Sequence, residues 1–398
     1  MTITDKTALS TFDVDAVRSR FSVLRAGKFS FFDAPAGTKV PDEVGDAIAK
    51  LMRDASGNTG GFDPTACALT GLVTKARERA AEFFGGDADN IAFGGSMTSL
   101  NFILSRSATR NFEEGDEIIV TRLDHEGNVA PWRELALDRG FVVKTCNLTA
   151  DLRIDVDHLR SLITDRTKVI AFPWAANTVG SVAEVAKICE IAHDAGAVAW
   201  VDAVHYAAHR AMDVRAVGAD VVLCSPYKFC GPHLGMAHIE PRVGESWRAY
   251  KVQAHGEHPL GARFENGTPP FELLAGLCAA FDYLDSLGGF GAIQPYETAL
   301  ASHFLETLSE KITVYGPALE QRVPTFLLTV PGVEAESVSR TLADKKMAIW
   351  KHNFSYEVGL PQALPFKGNA VRVGIAHYNT LDEIDLLCTA LDDIASHH

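Results

Sequence analysis

The 398-residue sequence predicts an α/β fold, with a large domain on a mostly parallel sheet and a smaller α+β domain after it. Three observations carry this. Short apolar runs rich in Val and Ile alternate with stretches of helical period as far as Leu223. A polar residue falls just past each run: Ser96, His125, Asn177, Asp202 and Lys228. After Gly231 the alternation loosens, and Gly288-Gly289 marks a boundary. The expected division is 1–30 as an N-terminal segment packing on the small domain, 31–288 as the large domain and 289–398 as the small one.

The chain is 47% hydrophobic and 22% charged, enough apolar material for a sizeable core. Its net charge of −14 argues against nucleic acid and anionic membrane as partners. The seven cysteines form no CxxC pair and read as reduced thiols. The polar start lacks the apolar core of a signal peptide, and no stretch approaches a membrane span. A cytoplasmic protein is expected.

In order, residues 14–24 read as an amphipathic helix with Val17, Phe21 and Leu24 on one face. An apolar strand from Phe29 ends in the turn Asp33-Ala34-Pro35-Ala36-Gly37. A helix follows, with Pro41 near its start and Val44, Ile48 and Leu51 on one stripe. The glycine-rich loop 56–61 is either a linker turn or a substrate-side loop presenting Asn58. Residues 70–84 are helical, and 90–93 form a strand that runs into Gly94-Gly95-Ser96-Met97-Thr98 and another helix. Glycines, hydroxyls and a helix N-terminus can hold a phosphate, because free N–H groups and the helix dipole favour an anion. The segment is neither a Walker A loop nor a full GxGxxG, so a dinucleotide site lacks its fingerprint.

Strands at 117–120, 141–143, 168–172, 197–201 and 221–223 follow, with helices at 132–139 and 182–195, the second closed by Gly196. Parallel strands place the polar residues at one sheet edge, where open α/β sheets bind ligands. One site assembled from several loops is expected. Beyond a turn-rich segment at 263–270 come helices at 271–287, 296–308 and 335–345 and strands at 312–314, 325–330 and 370–375. The last helix opens with a capping box, Thr380 to Glu383.

Asp202 and Lys228 together point to pyridoxal phosphate. That cofactor needs a lysine for a Schiff base and a carboxylate to keep its pyridine nitrogen protonated. A lysine suits this role because its pKa falls when it is desolvated. Ser96 with its helix N-terminus, and Ser225, suit the phosphate; His125 can stack on the ring; Asn177 can donate to the phenolic oxygen.

At these residues the chain resembles the class V aminotransferase family, in particular its cysteine desulfurase-like branch, from about residue 28 to about residue 395. Asp124-His125-Glu126-Gly127-Asn128 with Pro131-Trp132 resembles the segment whose histidine stacks on the cofactor. Asn177-Thr178-Val179-Gly180 resembles the segment whose asparagine contacts the cofactor oxygen. Val201-Asp202-Ala203-Val204-His205 resembles the strand end whose aspartate holds the pyridine nitrogen, with His205 where the family has Gln or His. Ser225-Pro226-Tyr227-Lys228 resembles the Ser-x-His-Lys segment, Tyr227 replacing the histidine near the phosphate. Glu265-Asn266-Gly267-Thr268-Pro269 resembles the turn whose threonine reaches the phosphate of a neighbouring subunit. Val371-Arg372-Val373-Gly374 resembles the segment whose arginine grips the substrate carboxylate. The resemblance implies a fold-type I pyridoxal-phosphate-dependent transferase and a homodimer in which Thr268 serves the neighbouring site.

Two departures bear on the reaction. Desulfurases carry a nucleophilic cysteine on the loop before that arginine, and residues 350–374 contain none; the loop reads Lys351-His352-Asn353-Phe354-Ser355-Tyr356. The loop 58–61 also lacks the His-Arg pair common in desulfurases. Cys224 and Cys230 flank Lys228 in apolar surroundings and read as inert. The expectation is a pyridoxal-phosphate-dependent lyase or transferase working at the α-carbon of a small amino acid. Lys228 and His125 are its expected catalytic residues, and Arg372 and Asn58 its substrate contacts. Ser96, Met97, His125, Asn177, Asp202, His205, Ser225, Tyr227, Lys228 and Thr268 are the expected cofactor contacts, and no metal is expected. β-Elimination of the C–S lyase type is the first expectation. Transamination or epimerisation is the alternative, and true desulfuration or a non-catalytic scaffold comes last. The loops 58–61 and 351–356 are expected to decide among them.

Overall fold

The structure is a computed structural model that describes residues 7, 9–253, 256–357 and 359–397. Its strands are β1 (Ser30–Phe31), β2 (Ile91–Gly94), β3 (Glu117–Thr121), β4 (Val142–Cys146), β5 (Thr167–Pro173), β6 (Val198–Asp202), β7 (Val221–Cys224) and β8 (Gly235–Ile239). They continue as β9 (Thr313–Tyr315), β10 (Thr325–Thr329), β11 (Met347–Ala348), β12 (Trp350–Lys351) and β13 (Val371–Gly374). Seven of them form one sheet in the order β2-β8-β7-β6-β5-β3-β4. All neighbours from β7 to β4 pair in parallel, whereas β8 is antiparallel to both β7 and β2. Two reversals restore the direction, so β2 runs with β7 and its end reaches the same edge.

Alternation along these strands feeds two cores. Ile118, Val120, Val169, Trp200 and Val221 face one, and Ile119, Ile170, Val201 and Val222 face the other. Burial on both faces explains why the strands read as continuous apolar runs. It also hides β8 from sequence reading: Gly235-Met236-Ala237-His238-Ile239 is fully buried, but His238 interrupts the apolar run.

A second, antiparallel sheet has the order β12-β13-β10-β9. Phe304, Phe326, Leu328, Val373 and Leu387 fill the core beside it. The capping box of the last helix is present, with Thr380 accepting from the Glu383 N–H. The short β1 pairs with β11.

Several expected elements differ in detail. The helix expected at 14–24 is two helices, Val14–Ser19 and Ser22–Arg25, broken where Phe21 adopts extended backbone. The break lets Phe21 meet Tyr283 and Tyr378 edge-on, at 5.6 and 5.7 Å. Val17, Phe21 and Leu24 join the core of the large sheet, while Phe12 stacks on Tyr296. The helix Glu126–Arg139 starts earlier than its apolar pattern suggests, and the helix Val156–Leu162 was not expected. At Gly288 and Gly289, both with positive φ, the helices Phe271–Ser286 and Gly289–Thr307 meet at a bend of 68°. Among the described residues no single helix is long and apolar enough to cross a membrane.

Candidate active site

The ends of β2, β3, β5, β6 and β7 open into a cavity of about 540 Å³. Lys228 ends the short turn Pro226–Lys228 directly after β7 and is buried. Its Nζ donates to the Pro35 carbonyl. Burial, reinforced by the charge of Arg372, lowers its pKa to about 7, against the pull of Asp202. Asp202 is the last residue of β6, and its Oδ1 accepts from the Val204 N–H at 2.9 Å. Burial raises its pKa to about 6, while the Val204 hydrogen bond and Lys228 oppose the rise.

His125 caps the helix Glu126–Arg139, with Nδ1 accepting from the Gly127 N–H at 2.9 Å. That bond leaves Nε2 to carry the proton of the neutral ring. A Cβ at 127 would lie 2.9 Å from Thr98 Oγ1 and 3.1 Å from His125 Nδ1, so a larger residue there would press on both side chains. The turn before His125 is tied by buried Asp124, which accepts from the Thr121 N–H, the Thr121 hydroxyl and Asn128 Nδ2. Burial pushes the Asp124 carboxyl up to about 7 against those bonds. Asn177 and Arg372 are joined, since Arg372 Nη1 donates to the Asn177 carbonyl at 2.9 Å. Burial lowers the Arg372 pKa to about 10. His205 donates to or accepts from the Thr325 hydroxyl at 2.9 Å, and burial keeps its ring neutral.

Met97, His125, Asn177, Asp202, His205, Ser225, Tyr227, Lys228 and Arg372 all line this cavity. Three expected site residues do not. Ser96 is spent on capping, its Oγ accepting from the Ser99 N–H at 3.0 Å, and Thr98 from the same turn lines the cavity instead. Asn58 is exposed and binds the N–H of Thr59, its neighbour. Thr268 is exposed on its turn.

The segment expected at 351–356 to decide the reaction forms a further side of the cavity. Trp350, Lys351, His352, Asn353, Tyr356 and Glu357 come in from β12 and the loop after it. Tyr356 lies parallel to His125, with ring centroids 5.6 Å apart. Glu357 is buried and bonded to Asn177 and Thr178. The absence of a cysteine from residues 350–374 marks this loop in the sequence, whereas Glu357 carries no local signal. Among the described residues no cysteine lines the cavity. Burial drives the Cys224 thiol far up and the Cys230 thiol to about 12, so neither is a thiolate.

A buried lysine held near neutrality and a buried carboxylate in one cavity fit pyridoxal phosphate, and the N-terminus of the helix Met97–Ala108 offers N–H groups for its phosphate. Fold and site together define a fold-type I pyridoxal-phosphate enzyme. The chain belongs to the class-V aminotransferase family, whose model matches residues 30–387. It is 30% identical to aminotransferase-like protein FGM3 of Gibberella zeae, over 96% of this chain and 98% of that one. It is 30% identical to a probable cysteine desulfurase of Halobacterium salinarum, over 98% of each chain. The apo cysteine desulfurase of Thermococcus onnurineus NA1 shares the fold, with a TM-score of 0.90 at 23% identity, over 96% of this chain and 98% of that one. The cysteine desulfurase CsdA of Escherichia coli gives 0.86 at 24% identity, over 97% and 99%.

Proposed function

We propose that this enzyme is a C–S lyase that carries out β-elimination on a small amino acid. The carrying observation is a cavity that holds Lys228, Asp202 and Arg372 together and, among the described residues, has no cysteine in its wall. When bound, pyridoxal phosphate supplies the electron sink that stabilises negative charge at the substrate α-carbon. Lys228, its pKa lowered to about 7 so that a large share of its amine is neutral near that pH, would hold the cofactor and could take up the substrate's α-proton. Asp202 would keep the proton on the pyridine nitrogen. His125 would be the residue to stack on the ring, Asn177 the donor for the phenolic oxygen, and Arg372 the partner of the α-carboxylate. Met97, Ser225, Tyr227 and His205 complete the cofactor's surroundings, with Ser96 shaping the helix N-terminus. The thiol leaves from the β-carbon, and water completes the conversion to pyruvate and ammonia.

The domains 31–288 and 289–398 are read as closing on this cavity from two sides. Thr268 and Asn58 stand outside it in one chain, which suits a homodimer whose second copy receives them. A cytoplasmic location fits the reading. Transamination is the second reading, favoured by the family. An amino-acid panel assayed for pyruvate, ammonia, sulfide and cofactor amination separates them. Pyruvate with sulfide supports elimination; alanine together with an enzyme persulfide overturns it.

A further inference from the structure

The small sheet sets a second side chain beside Arg372. β12 and β13 pair antiparallel, with Trp350 directly opposite Arg372. Residues in that relation project from the same face of a sheet, with Cβ atoms about 4.5–5.5 Å apart. The other members of the two faces identify which one this is. Leu327, opposite Arg372 on the β10 side, packs into the core of the large sheet. The chain neighbours Ile349, Val371 and Val373 fill the core beside the small sheet. Trp350 and Arg372 therefore both turn away from that second core, and both line the cavity.

Their exposure differs. Arg372 is buried and held against the Asn177 carbonyl, whereas Trp350 is 53% exposed. Tyr356, which lies parallel to His125 and lines the same cavity, is 55% exposed. Two half-exposed rings at one cavity form an apolar surface for a ligand to cover, and an aromatic ring offers a large contact area there. The polar side chains of the same segment are engaged elsewhere. Lys351 stands opposite Val371, and its Nζ lies 3.7 Å from Glu336. Asn353 accepts from the Ser355 N–H, and Glu357 is closed in by Thr178, Asn177 and His352.

An amino acid held at Arg372 by its α-carboxylate has its side chain within reach of the residue beside Arg372. We propose that Trp350 determines specificity: its indole packs against the distal part of the substrate side chain, with Tyr356 as a second ring. Preferred substrates then carry an apolar thioether end, and hydroxylated or charged ends are disfavoured. The inference rests on the reading of the cavity as an amino-acid site with Arg372 as the carboxylate partner.

S-propylcysteine, S-(2-hydroxyethyl)cysteine, S-carboxymethylcysteine and alanine test it. The first two have the same length and differ by a methyl against a hydroxyl, and alanine has no distal end. Their binding to the holoenzyme is read from the change in cofactor absorbance, whatever reaction follows. The unmodified enzyme is expected to bind the propyl compound roughly 10-fold tighter than the hydroxyethyl one, the range for burying a methyl in place of a hydroxyl. Trp350→Ala is expected to lose most of that preference with alanine binding unchanged, and Trp350→Phe to keep most of it. Cofactor uptake by each variant shows that it has folded. Equal binding of the propyl and hydroxyethyl compounds, or tighter binding of the carboxymethyl one, overturns the inference and leaves the cofactor reading intact. So does an Ala variant that keeps the preference. An Ala variant that weakens alanine by the same factor as the propyl compound overturns it too, because Trp350 then acts only through Arg372. A protein that takes up no pyridoxal phosphate, or whose absorbance answers to none of the four, overturns the reading beneath it as well.

Discussion

The two sides of the cavity are built by different means. On the sheet side, Asp202 and Lys228 stand at strand ends and are tied to backbone groups, Asp202 to the Val204 N–H and Lys228 to the Pro35 carbonyl. On the loop side ties between side chains are added to the backbone ones: Glu357 to Thr178 and Asn177, His352 to Glu357, and Tyr356 stacked beside His125, next to the backbone bridge of Glu357 to His125 and the His352 N–H to the Ala370 carbonyl. Strand ends give rigid placement that does not depend on what is bound. A loop held by side chains can change its contacts one residue at a time without disturbing the sheet. The sheet side therefore holds the residues that the proposed chemistry at the α-carbon needs, and the loop side is the part of the wall free to vary without disturbing them.

Variants on the two sides should separate accordingly. Lys228→Ala has the largest expected effect, a loss of turnover on the order of 10³-fold or more, together with loss of the visible absorbance of bound cofactor. Asp202→Asn comes next, with a fall in kcat on the order of 10²-fold, because a charge aimed at the electron sink is removed. If any single loop variant matched these losses for every substrate, the division between the two sides would fail.

The sheet side also has a pH signature. The folded-state pKa of Lys228 lies at about 7, below its ordinary 10.5. Between those values the unfolded chain binds the proton that the folded chain has released, so apo-protein stability rises with pH across that window. Lys228→Met is expected to flatten the rise, as read by chemical denaturation at several pH values. Capture of pyridoxal phosphate by the apo-protein needs the neutral amine, so its rate should climb to a plateau through about pH 7. A midpoint above pH 10 would mean that burial does not control this lysine. The smallest expected effect belongs to the loop. Tyr356→Leu removes a ring stack worth about 0.5–1.5 kcal/mol and should lower stability by that amount, with kcat changed less than by either sheet variant. Thermal or chemical denaturation beside steady-state kinetics checks both parts.

The same contrast explains what could be read from the sequence. Strand-end residues were legible because a buried parallel strand announces itself as an apolar run and its end fixes the next polar residue in space. Lys228, Asp202, Asn177 and His125 all follow that rule. β8 was not legible, because burial on both faces removes alternation and His238 interrupts the run. The early start of the helix after His125 was hidden by Gly127 and Pro131, which read as loop residues but serve close packing and the first turns. Glu357 left no local signal at all. Its partners lie about 180 residues earlier in the chain, at Asn177 and Thr178, and only the folded arrangement brings them together. Ser96 was placed correctly at a helix N-terminus, but its hydroxyl serves the helix cap.

The central claim is that Lys228 bears the cofactor at the focus of the sheet edge. Borohydride reduction of the purified holoenzyme, followed by peptide mass mapping, tests it most directly. One pyridoxyl-modified peptide is expected, with the label on Lys228, and no label in Lys228→Ala. A label on another lysine, or a wild-type protein that takes up none, would contradict it.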